Sequence, residues 1–305
     1  MRMERSSLKD IFVERQFSSH ALLRVGNFVH QFGLQSSTSS SMKVTMEEPA
    51  SNEAFFNSRL MGAMFVYDKN DFFGTASVHV ESEALKKKSN ELGKMGYGAM
   101  SRLVYRPLHD TGRLFQLGIS GAYETPRYNS EPTLNHTSFD LGANFPTRIA
   151  KVRAVNALIP DAKNLIKFTP EMIAGYGSVA LEAQYYYLQV NRKKDFKNYK
   201  ASGMYGILRG LLIGGNYRYS HTDCGIATPD SGSLECVFGY NYTDMSDTRS
   251  HIYGGRLNDV SFTVNYYINK YMIWRFRYSY TKITDRVGFE NQSLSAFQTR
   301  FQVIF

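Results

Sequence analysis

The chain has 305 residues, 43% of them hydrophobic, with 21 Tyr, 21 Phe, 24 Gly, only 8 Pro and a formal net charge of +9. It has no run of about 18 apolar residues, which excludes a helical membrane span. The basic balance admits nucleic acid, anionic lipid or anionic solutes as partners, and where the charge sits decides among them.

Polar and apolar side chains alternate with period two along nearly the whole chain, the signature of strands with two different faces. In chain order the pattern predicts strands over 8–16, 20–27, 58–67, 72–81, 95–106, 112–124, 137–144, 150–157, 164–174, 178–190, 198–212, 233–243, 256–268, 272–283 and 294–305. The connections alternate in length. Those at 68–71, 107–111, 175–177 and 269–271 are short, whereas 28–57, 82–94, 125–136, 244–255 and 284–293 are long. The turn at 220–232 breaks this order, being long where a short one is due. Short turns on one rim and long loops on the other are the arrangement of an outer-membrane barrel. The fold expected is therefore all-β, a single antiparallel transmembrane β-barrel of about 15–16 strands over residues 1–305. Its mean hydropathy of −0.35 is consistent with this, because every second wall residue faces a wet lumen.

The faces can be assigned residue by residue. Val260, Phe262, Val264, Tyr266 and Ile268 should face lipid, and Asp259, Ser261, Thr263, Asn265 and Tyr267 the lumen. Met272, Trp274, Phe276, Tyr278 and Tyr280 point outward, which sends Arg275 and Arg277 inward. An arginine on the lipid face at midplane would cost ~2–4 kcal/mol. The same logic turns Arg24, Arg102, Arg106, Lys151, Arg153 and Arg300 inward, together with the acids Asp10, Glu14, Glu81, Asp140, Glu182 and Glu235. Inward arginines raise the local anion concentration and suit phosphate through their planar fork. The competing expectation is that these acids neutralise the cations. The Ser/Thr-rich connection 28–57 is a candidate constriction loop, with Lys43 its basic contact; a disordered external loop fits the same composition. The chain ends on Phe305 after an alternating strand, the position of a barrel-assembly signal.

Other chemistry has little support. The seven histidines form no H-x-x-x-H or H-E-x-x-H pattern, and neither G-x-S-x-G nor a phosphate-binding loop occurs. No enzyme activity, metal or cofactor is expected. Nucleic acid is not an expected partner either, because the cations alternate with wall residues and form no exposed stripe. Cys224 and Cys236 leave two readings open, a disulfide or a free thiol beside a wall residue.

The stretches LLRVGNFVHQFGL, RPLHDTGRLFQLGISGAY, GSLECVFGYNYTDMSD and IYGGRLNDVSFTVNYYINKYMIWRFRYSYT resemble, in collinear order, the phosphate-selective porin O and P family in its Bacteroidetes-type versions. The resemblance implies a sixteen-stranded barrel of the bacterial outer membrane, usually trimeric, that passes small anions such as phosphate. In phosphate-specific members an arginine ladder lines the pore. Arg275 and Arg277 lie on a strand suited to it, while the full ladder has no match here. The opening MRMERSSLKDIFVERQ lacks the apolar core and small-residue cleavage site of an export signal. An odd strand count leaves the first and last strands running the same way. Together these lead to the expectation that N-terminal strand(s) and a signal peptide are missing. The function expected is an anion-preferring diffusion channel embedded in outer-membrane lipid, a homotrimer inserted by machinery that reads the C-terminal strand. A structural or adhesive barrel with a plugged lumen is the alternative.

Overall fold

The computed structural model describes residues 10–36, 38, 42–56, 59–85, 87–147 and 151–304. Phe305 and residues 8, 9, 58 and 150 of the expected strands lie outside these. In chain order, β1 (Ile11–Ser18), β2 (Ala21–Phe28), β3 (Leu60–Lys69), β4 (Phe72–Val80), β5 (Tyr97–Asp110) and β6 (Arg113–Glu124) come first. Then follow β7 (Phe139–Asn144), β8 (Arg153–Ile159), β9 (Ala162–Tyr176), β10 (Val179–Arg192) and β11 (Tyr199–Ile213). The short β12 (Tyr219–Ser220) and β13 (Gly225–Ile226) precede β14 (Leu234–Asp247), β15 (Ile252–Asn269), β16 (Met272–Arg286) and β17 (Gln292–Val303). A short helix, α1 (Ala50–Phe55), lies between β2 and β3, and a second, α2 (Ser89–Leu92), between β4 and β5.

Thirteen strands form one sheet in the order β1-β2-β3-β4-β5-β6-β9-β10-β11-β14-β15-β16-β17. Every neighbouring pair is antiparallel, as the two-residue turns dictate. Gly112 (φ 77°) and Gly177 (φ 59°) sit in two of those turns, in a backbone region that a side chain disfavours. Because the strand number is odd, β1 and β17 run in the same direction.

The alternation expected for the wall holds. On β16, Trp274, Tyr278 and Tyr280 are exposed, while Arg275, Arg277, Ser279 and Thr281 are buried. On β15, Val260, Phe262 and Tyr266 are exposed, and Asp259, Ser261, Thr263, Asn265 and Tyr267 are buried. Aromatic pairs such as Phe238–Phe262 and Trp274–Phe276 line the outer face.

Two expectations need correction. The segments 137–144 and 150–157 are not wall strands. They form the separate hairpin β7–β8, and β6 pairs directly with β9 from Arg113↔Tyr176 to Glu124↔Leu165. At six and seven residues these strands are shorter than the ~9–11 that a membrane crossing takes. The adjacent Ala154 and Val155 are both fully buried, so protein covers both faces of β8. Nor is 244–255 a long loop, since β14 runs to Asp247 and β15 starts at Ile252, with a register shift between Asp244 and Ser246.

The sheet curves around segment 29–59. Gln31 accepts from Arg102 of β5, and the Gly33 amide donates to Ser120 of β6. Lys167 of β9 donates to the Phe55 carbonyl, and the Ser51 amide to Asn241 of β14. Asn265 of β15, Arg275 of β16 and Arg300 of β17 donate to the carbonyls of Val44, Lys43 and Met46. One segment reached from strands this far apart requires a rolled sheet. Phe32, Phe55, Tyr186, Tyr205 and the apolar side of β8 make the core inside it.

The lipid face is testable. Phe262→Arg, near the middle of β15, should destabilise the protein refolded in vesicles by about 2–4 kcal/mol. The midpoint of a urea titration followed by Trp274 fluorescence measures it.

Candidate functional site: the lumen

Three segments enter the space inside the sheet. Segment 29–59 and the β7–β8 hairpin come from the long-loop rim. Segment 214–233, which contains the turn 220–232 that broke the length alternation, comes from the opposite rim. It lies across two short turns, with the Tyr217 amide donating to Gly177 O and the Gly112 amide to Tyr217 O. The segments from opposite rims meet at Leu34, Leu114, Ile173 and Tyr217, with Tyr219 and Ile226 packed alongside. Burial raises the hydroxyl pKa of Tyr217 and Tyr219, which keeps both protonated as donors. Tyr217 donates to Glu235 at 2.7 Å and Tyr219 to Gln116 at 2.5 Å.

The inner wall carries charge, nearly all of it in pairs. Arg102 forks onto Glu171 at 2.6 and 3.1 Å. Arg106 pairs with Asp68, and its guanidinium lies over the Tyr219 ring. Arg277 pairs with Asp259 at 3.2 Å and donates to Gln298 and the Pro146 carbonyl. Arg300 reaches inward to Glu47 at 2.9 Å, and Arg24 pairs with Glu14 at 2.7 Å. Lys43 is buried and donates to the Gln35 carbonyl, while Arg275 donates to the Lys43 carbonyl at 3.2 Å.

Lys151 and Arg153 are elsewhere. With β7–β8 outside the wall, both are exposed on the inserted hairpin, and Arg153 pairs with Asp140 at 2.5 Å. Sequence reasoning missed Lys167 and Arg209, although period two on their strands places them inward. Lys167 pairs with Glu124 at 2.9 Å. Arg209 pairs with Glu235, which also accepts from Tyr217, Tyr267 and Asn265. Of the expected acids, Glu182 accepts from Gln35, Asp10 pairs with Arg59, and Glu81 caps the amides of Gly96 and Tyr128. Cys224 and Cys236 are free thiols, which closes the disulfide alternative.

Two of the cavities beside segment 29–59 gather basic and acidic side chains. One, of about 340 Å³ on the long-loop side, is lined by Glu53, Glu124, Arg127, Asp140, Arg153 and Lys167, so its charges balance. Burial raises the Glu53 pKa, and Asn144 donates to both carboxylate oxygens. The other, of about 160 Å³ towards the short-turn rim, brings Lys43, Arg209 and Arg275 together against Glu182 and Asp223.

The model of the phosphate-selective porin O and P family matches residues 2–305. The chain belongs to this family. It is a β-barrel porin of the outer membrane, and solved structures agree on the fold. Outer-membrane expressed OmpT of Vibrio cholerae is similar at 10% identity and a TM-score of 0.55, over 95% of this chain and 77% of that one. The in-vitro folded form of OmpT from Vibrio cholerae gives 10% identity and 0.52, over 92% and 74%. Identity this low speaks for the fold alone. A search of curated proteins found no match.

The porin's paired charges have a measurable consequence. Glu171→Gln leaves the Arg102 guanidinium buried without its carboxylate and should cost about 3–5 kcal/mol. Replacing both partners by apolar residues of similar volume should recover most of that loss. Urea midpoints of the refolded variants decide it.

Proposed function

We propose that this porin is a narrow, passive diffusion channel that prefers small anions, phosphate among them. The observation that carries the reading is the cavity of about 160 Å³ on which three cations, Lys43, Arg209 and Arg275, converge, with Glu182 and Asp223 on its lining and Glu235 against Arg209. Cations gathered in a low-dielectric space favour an anion and disfavour a cation. An anion entering it exchanges water for N–H donors, and the planar fork of Arg275 suits two phosphate oxygens. No covalent step is involved. Segment 29–59 acts as the constriction loop, because it fills the middle of the lumen and carries Lys43. Arg24, Arg102, Arg106, Arg277 and Arg300, each beside a carboxylate, serve mainly to hold the wall and this segment. Assembly as a homotrimer and recognition of Phe305 by the insertion machinery belong to the same reading.

A second reading draws on how much of the lumen is occupied. Segments entering from both rims favour a structural or adhesive barrel without open-channel activity.

Planar-bilayer recordings under a KCl gradient separate the two. The channel reading expects a reversal potential towards the chloride limit and a current reduced by added phosphate. The Lys43→Gln/Arg275→Gln double variant should move that potential most of the way to zero. An unchanged potential would remove these two residues from the account, and absence of conductance in the unaltered protein would favour the second reading.

A further inference from the structure

His30 and His79 stand at the neck of segment 29–59, where the chain leaves β2 and returns into β3. His30 Nε2 lies 3.2 Å from the carbonyl oxygen of Leu60, the first residue of β3. That contact makes Nε2 the donor and ties the outgoing chain to the returning one. The other ring nitrogen, Nδ1, has no hydrogen-bond partner among the described residues, and the same is true of both ring nitrogens of His79. The two imidazoles meet edge to face at 5.4 Å, and Phe28 stacks on His30 at 4.3 Å. Both are buried, at 1% and 5% exposure. Glycines make the room, since a Cβ at position 98 would stand 2.5 Å from His79 Nε2 and one at position 62 would stand 3.0 Å from His30 Cε1.

A neutral imidazole fits this place. An imidazolium does not, because it brings a charge out of water and adds an N–H that finds no acceptor. Positive charge already surrounds the pair. Arg24 faces the pair from β2, Lys167 from β9 and Arg127 from the connection after β6. The carboxylate facing it among the described residues, Glu124 of β6, is already held by Lys167 at 2.9 Å and Arg127 at 2.6 Å. The neighbours from β3 and β5, Leu60, Gly62 and Gly98, carry no charge.

We propose that this histidine pair is a proton-operated latch on the lumenal segment. Neutral, it clamps the neck and holds segment 29–59 in the lumen; protonated, it releases the neck and the lumen widens. The widening rests on the channel reading above, whereas the release does not.

The pH window follows from His30. Burial pushes its pKa down to about 4, against an ordinary 6.5 once the neck is open. The clamped state is therefore fully favoured above pH 6.5. It loses ground as pH falls from 6.5 towards 4, because only the open state takes up the proton readily. For His30 alone, going from pH 7.5 to 5 shifts the equilibrium roughly thirtyfold towards release.

Hydrogen exchange of the full refolded chain tests the latch. After correction for intrinsic rates, amides of 29–59 should exchange at least about thirtyfold faster at pH 5 than at pH 7.5, while those of β15 and β16 should not change. His30→Gln, which keeps a donor for the Leu60 carbonyl, should flatten most of this response, and His30→Gln/His79→Gln all of it. Equal protection at both pH values in the unaltered chain would overturn the latch, as would an undiminished response in His30→Gln. If the double variant does not refold, the unaltered chain and His30→Gln decide alone. Single-channel conductance over the same range separates the two readings. Faster exchange in a protein that never conducts leaves the latch standing and removes the channel.

Discussion

A guanidinium on the inner wall of this sheet has lipid behind it and little water in front. It must find a carboxylate or a carbonyl inside the protein. The arrangement of the lumen depends on that constraint. Arg102 with Glu171, Arg277 with Asp259 and Arg209 with Glu235 tie neighbouring or facing strands together. Arg300 with Glu47, and Arg275 with the Lys43 carbonyl, reach across to segment 29–59. The cations that give the inner wall its basic character are thus also the anchors of the segment that fills it.

Net charge in the lumen is consequently local. On the long-loop side Lys167, Arg127 and Arg153 stand beside Glu124, Asp140 and Glu53, and the 340 Å³ cavity has no excess of either sign. The smaller cavity near the short turns gathers Lys43, Arg209 and Arg275 beside Glu182 and Asp223, with Glu235 held by Arg209. Segment 214–233 forms part of the lining of that site through Asp223 and Ile226, so a turn anomalous in length also shapes the basic cavity.

Much of the fold was legible because strand alternation is a local property. The parity of Phe262 and Thr263, or of Arg275 and Trp274, follows from sequence once the phase is fixed, since a residue cannot change face without a bulge. Strand ends were less legible, as at 244–255, where a register shift lets pairing continue through a polar stretch rich in loop residues. The β7–β8 hairpin was misplaced for a related reason. Its alternation is genuine, but both faces of β8 meet protein, and no local pattern separates an inner hairpin from a short wall strand.

By itself the sequence determined the all-β barrel architecture and the inward direction of the wall arginines, because lipid on one side and polar surroundings on the other write a period of two into every strand. It also marked the connection 28–57 by its length and Ser/Thr content and the turn 220–232 by its length alone. Only the tertiary structure decided that both fold inward and that the 150–157 strand leaves the wall and takes Arg153 with it. It also decided which carboxylate each cation meets, and that His30 and His79 share the neck of the loop. Those outcomes depend on contacts between residues far apart in the chain, such as Met46 and Arg300, 254 positions from each other. No local pattern encodes such pairings, because they exist only after the sheet has rolled up.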